Sequence, residues 1–105
     1  MGEIIVPKSE SFIEKLNRSV ERNDSLLCVG LDPDPDNFPD HFPGPPDTAV
    51  LVKWGQAIID RTADVVCCYK PNFAFYEQHG PAGLEALRRT IAAVPDGIPV
   101  LLDVK

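Results

Sequence analysis

The chain has 105 residues, enough for one small domain with a modest core. Its 44% hydrophobic and 25% charged content is that of a globular chain and excludes wholesale disorder. Sixteen acidic residues against ten basic ones give a net charge of −6, with no Lys/Arg cluster, which argues against nucleic acid or anionic membrane as a partner.

The opening "MGEIIVPKSESF" lacks the apolar run of a signal peptide, and no stretch approaches the roughly 18 apolar residues of a membrane span. A cytoplasmic protein is expected. Residues 9–23 read as an amphipathic helix: Ser11 with Glu14 forms a capping-box pattern, and Phe12, Ile13, Leu16 and Val20 share a stripe. "SLLCVGLD", 25–32, is a continuous apolar run, the pattern of a strand covered on both faces. The Pro-rich segment 33–46 then excludes both helix and central strand, and a loop of that length is expected to serve a function or to be an insertion.

A second helix is predicted over 48–61, with Val50, Leu51, Trp54, Ala57 and Ile58 facing the core. "DVVCCYK", 64–70, reads as the second buried strand, and "NFAFYEQHG" as a short helical turn. Pro81 suits a helix start, and Leu84, Leu87, Ile91 and Val94 carry a stripe up to Pro95. "IPVLLDVK", 98–105, is the third predicted strand. Helical crossovers between buried strands, spaced roughly 35 to 40 residues apart, imply parallel pairing in a doubly wound sheet or a (β/α) barrel. A complete barrel needs about 250 residues, so only three of its eight strands would be present.

Ligands of parallel α/β folds gather at the carboxyl ends of strands. There the three predicted strands carry Asp32, Lys70, and Asp103 with Lys105. Strand ends are often charged because they reach solvent, but a period of two places Asp103 and Lys105 on one face. An adjacent parallel strand brings Lys70 alongside, giving a Lys–Asp–Lys array in which the carboxylate keeps the amines protonated and fixes them in place. Other chemistry has little support. Asp32, Asp34 and Asp36 imitate the start of a calcium loop, but Asn37 stands where its glycine belongs and Pro43 where its closing glutamate belongs. His41 and His79 are isolated, so neither a metal site nor a Ser/His triad is predicted. Cys28, Cys67 and Cys68, inside apolar runs, read as buried reduced thiols.

"LLCVGLDPDP", "CCYKPNFAFYEQHGPAGLEAL" and "IPVLLDVK", in this order and spacing, closely resemble orotidine 5′-phosphate decarboxylases of the bacterial type 2 subgroup, from about Ser11 onward. The resemblance implies the N-terminal part, about three βα units, of a (β/α)8 TIM barrel, with residues 1–105 forming one incomplete domain. It also implies a homodimer without metal or organic cofactor that converts orotidine 5′-phosphate to uridine 5′-phosphate and carbon dioxide in pyrimidine synthesis. By the same resemblance Lys105 is the proton donor, Asp103 its partner beside the departing carboxylate, Lys70 a catalytic and substrate-binding lysine, and Asp32 a contact to the ribose. The family signature Asp-x-Lys-x-x-Asp starts at Asp103, and its second aspartate, which acts across the dimer interface, falls three residues beyond Lys105. Met1 reads as a genuine start, so the missing part is expected after Lys105, and the chain alone is expected to be inactive and poorly stable. The alternatives are a metal-dependent sugar-phosphate synthase or decarboxylase sharing the barrel signature, and a non-enzymatic α/β interaction module.

Overall fold

A computed structural model describes residues 10–39 and 48–104. The first helix, α1, spans Phe12–Asn23, with Ser11 as its N-cap: the Ser11 hydroxyl accepts the Glu14 N–H at 3.1 Å. It ends where Asp24 takes a left-handed conformation (φ 47°) and returns its N–H to the Val20 carbonyl. A short polar residue tolerates that geometry better than a branched one. The expected apolar stripe exists but stays largely in the open, with Ile13 61% exposed. Polar ties hold this end of the chain instead: the Asn23 side-chain amide donates to the Ala63 and Val66 carbonyls at 3.0 and 2.8 Å, and the Ser25 hydroxyl to the Val65 carbonyl at 2.6 Å.

Strands β1 (Cys28–Leu31) and β2 (Cys68–Pro71) pair in parallel, with Cys28 opposite Cys68, Gly30 opposite Lys70 and Leu31 opposite Pro71. The second strand thus begins later than the 64–70 run suggested. Helix α2 (Thr48–Thr62) connects them; α3 (Phe73–Glu77) and α4 (Gly80–Ala93) follow. Asn72 caps α3 by accepting the Ala74 N–H at 3.1 Å, and Pro81 sits in the first turn of α4. The helices cover one face of the sheet. There Leu31, Ile59, Val66, Tyr69, Val94 and Ile98 form one cluster, and Leu51, Tyr76, Ala86 and Leu87 a second.

The helix faces that meet are rotated from those read in the sequence. In α2 the buried residues are Val50, Leu51, Gly55 and Ile59, while Trp54, Ala57 and Ile58 are half-buried. In α4 they are Gly83, Ala86, Leu87 and Thr90, and Leu84 is exposed. Small residues decide this, because they let the helices approach. A Cβ on Gly55 would stand 2.9 Å from the Thr90 methyl, and one on Gly83 would strike the Tyr76 carbonyl.

The predicted third strand forms only as two bridges, Tyr69 with Val100 and Asn72 with Asp103, both parallel. The hydrogen bonds follow one register: Tyr69 N–H to Pro99 O (3.2 Å), Leu101 N–H to Tyr69 O (2.9 Å), Asp103 N–H to Pro71 O (2.9 Å) and Phe73 N–H to Asp103 O (2.9 Å). The missing rung belongs to Pro71, which has no N–H to donate toward Leu101. The segment therefore lies where a third parallel strand belongs, with its ladder interrupted by a proline in its neighbour. Coverage of 25–32 on both faces is corrected as well. Cys28 and Gly30 are exposed while Leu31 is 1% exposed, because only one face carries helices. No helix among the described residues is long and apolar enough to cross a membrane.

Candidate active site

Alternation along paired strands sorts the side chains into two sets. Val29, Leu31, Tyr69, Pro71 and Val100 turn to the helices. Cys28, Gly30, Cys68, Lys70, Leu101 and Asp103 turn to the opposite face, and Asp32 follows directly from the end of β1. Three of the four residues singled out in the sequence, Asp32, Lys70 and Asp103, are therefore gathered at the carboxyl ends of neighbouring parallel strands. The fourth, Lys105, lies outside the described residues, as do residues 40–46 of the Pro-rich segment together with His41.

Asp32 flanks Lys70 on the β1 side. The Asp32 carboxylate folds back over Gly30, with both oxygens 3.7 Å from the position of a Gly30 Cβ, and Gly30 is the register partner of Lys70. Glycine here leaves space between the acid and the base. On the other side Lys70 stands opposite Leu101, so Asp103 lies two residues, about 6.6 Å, further along the same face. Among the described residues no ion pair joins Lys70 to either carboxylate. Lys70 and Asp32 are exposed and Asp103 is half-buried, so all three are available to a bound molecule.

Two positioning residues escaped the sequence reading. Asn72 lies on the Lys70 face, caps α3 with its side-chain oxygen and is the register partner of Asp103, whose backbone is held by its neighbours Pro71 and Phe73. Only the asparagine-before-helix pattern hinted at that role. Tyr76, fully buried in α3, donates its hydroxyl to the Leu31 carbonyl at 3.3 Å and thereby fixes the residue before Asp32. Burial, opposed by a hydrogen bond with Thr90 and reinforced by the Asp32 charge, pushes its pKa up to about 12. Nothing in the local sequence distinguishes this tyrosine from a core aromatic. The thiols are also redistributed. Cys67 and Cys68 are buried as expected, but Cys28 is exposed, because its face of β1 is uncovered. No group of three metal-ligating side chains occurs among the described residues.

Parallel strands that each hand over to a helix, with helices on one face and charged strand ends on the other, define part of a (β/α)8 barrel. Comparison with known proteins agrees. No family model matches the chain. It is 52% identical over 94 residues to the orotidine 5′-phosphate decarboxylase of Herpetosiphon aurantiacus, covering 90% of this chain and 34% of the relative. It is 50% identical over 95 residues to that of Thermomicrobium roseum, covering 90% and 33%. The structure of Leishmania donovani OMP decarboxylase superimposes with a TM-score of 0.74 at 41% identity, covering 89% of this chain and 32% of that one. The chain is homologous to orotidine 5′-phosphate decarboxylases and spans about a third of the length of the curated relatives it matches.

Proposed function

We propose that the chain carries the first strand ends of an orotidine 5′-phosphate decarboxylase site, and that the complete protein converts orotidine 5′-phosphate to uridine 5′-phosphate and carbon dioxide. The observation that carries this reading is the identity of about half over 90% of the chain to decarboxylases of that name. The placement of Asp32, Lys70 and Asp103 on one face supports it.

The chemistry requires what these residues offer. Breaking the bond to the departing carboxylate leaves an electron pair in the plane of the pyrimidine ring, where the π system cannot delocalise it. A fixed cation beside that carbon stabilises the pair, and a proton delivered to the same carbon completes the exchange of carbon dioxide for hydrogen. Lys105 takes both roles in this proposal. Asp103, half-buried beside it in sequence, holds the ammonium in place; Lys70 completes the charge balance and contacts substrate; Asp32 receives the ribose hydroxyls. No metal or organic cofactor is required. The remaining two thirds of the protein supply the other strands and the grip on the phosphate, whose binding energy is used at the reacting carbon. We place the complete protein in the cytoplasm as a homodimer.

A chimera tests the reading directly. Residues 11–105 replace the matching segment of the Herpetosiphon aurantiacus enzyme, and uridine 5′-phosphate formation is followed with and without a metal chelator. Chelator-insensitive turnover is expected. A folded chimera that binds the product nucleotide yet turns nothing over, or that stops when chelated, contradicts the proposal.

A further inference from the structure

Asp32 stands at the end of β1, where its direction depends on how the backbone is held on either side. Before it, the Leu31 carbonyl accepts the Tyr76 hydroxyl. After it, Pro33 is fully buried and its ring fixes φ. The chain then closes into a 3-10 turn, Pro35–Asn37, whose N-cap Asp34 accepts the Asp36 N–H at 3.1 Å and the Asn37 side-chain amide at 2.7 Å. The Asn37 N–H returns to the Asp34 carbonyl at 2.9 Å, and the Phe38 N–H to the Pro35 carbonyl at 3.3 Å. Residues 33–38 are therefore a braced unit. Phe38 ends that unit and lays its ring on Trp54 of α2, with centroids 5.5 Å and planes 14° apart. Trp54 packs in turn on the cluster that contains Leu31, and Phe38 on the one that contains Tyr76. Asp32, Asp34, Phe38 and Trp54 line one recess. Both partners of every one of these contacts are in this chain, so the bracing does not depend on further strands of a barrel.

We propose that Phe38 and Trp54 are positioning residues for Asp32: their stack anchors the braced turn to α2 and so holds the carboxylate where the ribose hydroxyls of the substrate arrive. The inference rests on the decarboxylase reading and assigns a task to the first residues of the Pro-rich segment. A stacked pair fixes the orientation of its partners beyond what the buried area alone supplies. Trp54 is carried by α2, whose buried face is Val50, Leu51, Gly55 and Ile59, so loss of the Phe38 ring frees the turn and leaves the helix seated. A contact to substrate that is displaced in this way loses rate and affinity even where the fold survives.

The test uses the Herpetosiphon chimera, with uridine 5′-phosphate as binding probe and orotidine 5′-phosphate as substrate. Phe38→Leu keeps the apolar bulk and loses the ring plane, a volume-conserving change that the fold tolerates; Phe38→Tyr keeps the ring. Each is made with Asp32 present and with Asp32→Ala, and Kd and kcat/KM are measured. With Asp32 present, Phe38→Leu is expected to weaken both by about fivefold, and Phe38→Tyr to stay within about twofold of the parent chimera. In the Asp32→Ala background the Phe38→Leu loss is expected to fall below about twofold, because residues that act through one contact are not additive. Equal losses in both backgrounds, as from a residue that only supports the fold, overturn the proposal, and so does a Phe38→Leu chimera within about twofold of its parent. Absence of turnover in the unsubstituted chimera contradicts the decarboxylase reading instead, and the binding comparison alone then decides whether the stack positions Asp32.

Discussion

At Tyr76 a single hydroxyl joins α3 to the carbonyl that precedes Asp32, and burial makes that hydroxyl reluctant to ionise. Removing it in Tyr76→Phe should cost about 1 kcal/mol, the net worth of a buried neutral hydrogen bond, read as a lower urea midpoint at unchanged slope. A midpoint at or above wild type would mean that the 3.3 Å contact contributes nothing. The Cys68 thiol is pushed up from 9.0 to about 11, by burial first, then by the Cys28 and Cys67 thiols, against a backbone hydrogen bond from Leu101. In both groups the fold favours the neutral form. Their contribution is therefore complete below the unfolded pKa and disappears as pH rises through the folded one: about 9 to 11 for Cys68, and about 10 to 12 for Tyr76. Urea midpoints should thus be flat below pH 8.5 and fall above pH 9, and Cys68→Ala should delay the onset of the fall toward pH 10. An unchanged onset in the variant would exclude Cys68 as its source. At this scale the common face of Lys70 and Asp103 was legible only through the expectation of parallel neighbouring strands, because a period of two fixes direction within one strand and the register between strands does the rest. The exposure of Cys28 was not, since an apolar strand predicts cover on both faces and only one face is covered here.

At the scale of elements, helix positions were readable and helix faces were not. Caps and prolines mark ends locally, and Ser11 and Pro81 both stand where those rules put them. Which stripe meets a neighbour depends on how closely two helices approach, and that distance is set by glycines and threonine that carry almost no hydropathy signal. Gly83→Ala tests this. Its added methyl meets the Tyr76 carbonyl, a backbone atom that cannot swing aside, so a loss of about 1–3 kcal/mol is expected from denaturant unfolding. The same substitution at exposed Ala-like sites of a helix normally stabilises by up to about 1 kcal/mol, so a more stable variant would show that α3 and α4 are not in this contact. The third strand shows the complementary failure. Its sequence is strand-like, but whether its ladder is continuous depends on Pro71 in another element.

At the scale of the whole molecule, the uncovered face of the sheet is part apolar and part charged: Leu101 is 49% exposed, and Lys70 and Asp103 share its side. Unpaired strand edges and open apolar surface favour association with any available strand. The chain by itself should therefore self-associate with rising concentration in light scattering and show no turnover of orotidine 5′-phosphate. A monodisperse, active monomer would contradict both expectations. The fold class was legible because the alternation of strand and helix is a long-range pattern that survives in a third of the length. The completed site was not: Lys105 lies outside the described residues, and the chain spans about a third of the length of its relatives.

In the proposed reaction Lys105 delivers the proton and the local positive charge to the carbon that loses carbon dioxide. The most direct measurement compares the Herpetosiphon chimera with its Lys105→Ala form, following uridine 5′-phosphate formation alongside binding of that nucleotide. Loss of at least about 10⁴-fold in kcat with nucleotide binding retained is predicted, combining general-acid and electrostatic contributions. Turnover within about tenfold of the unsubstituted chimera would remove Lys105 from the chemistry and contradict the account.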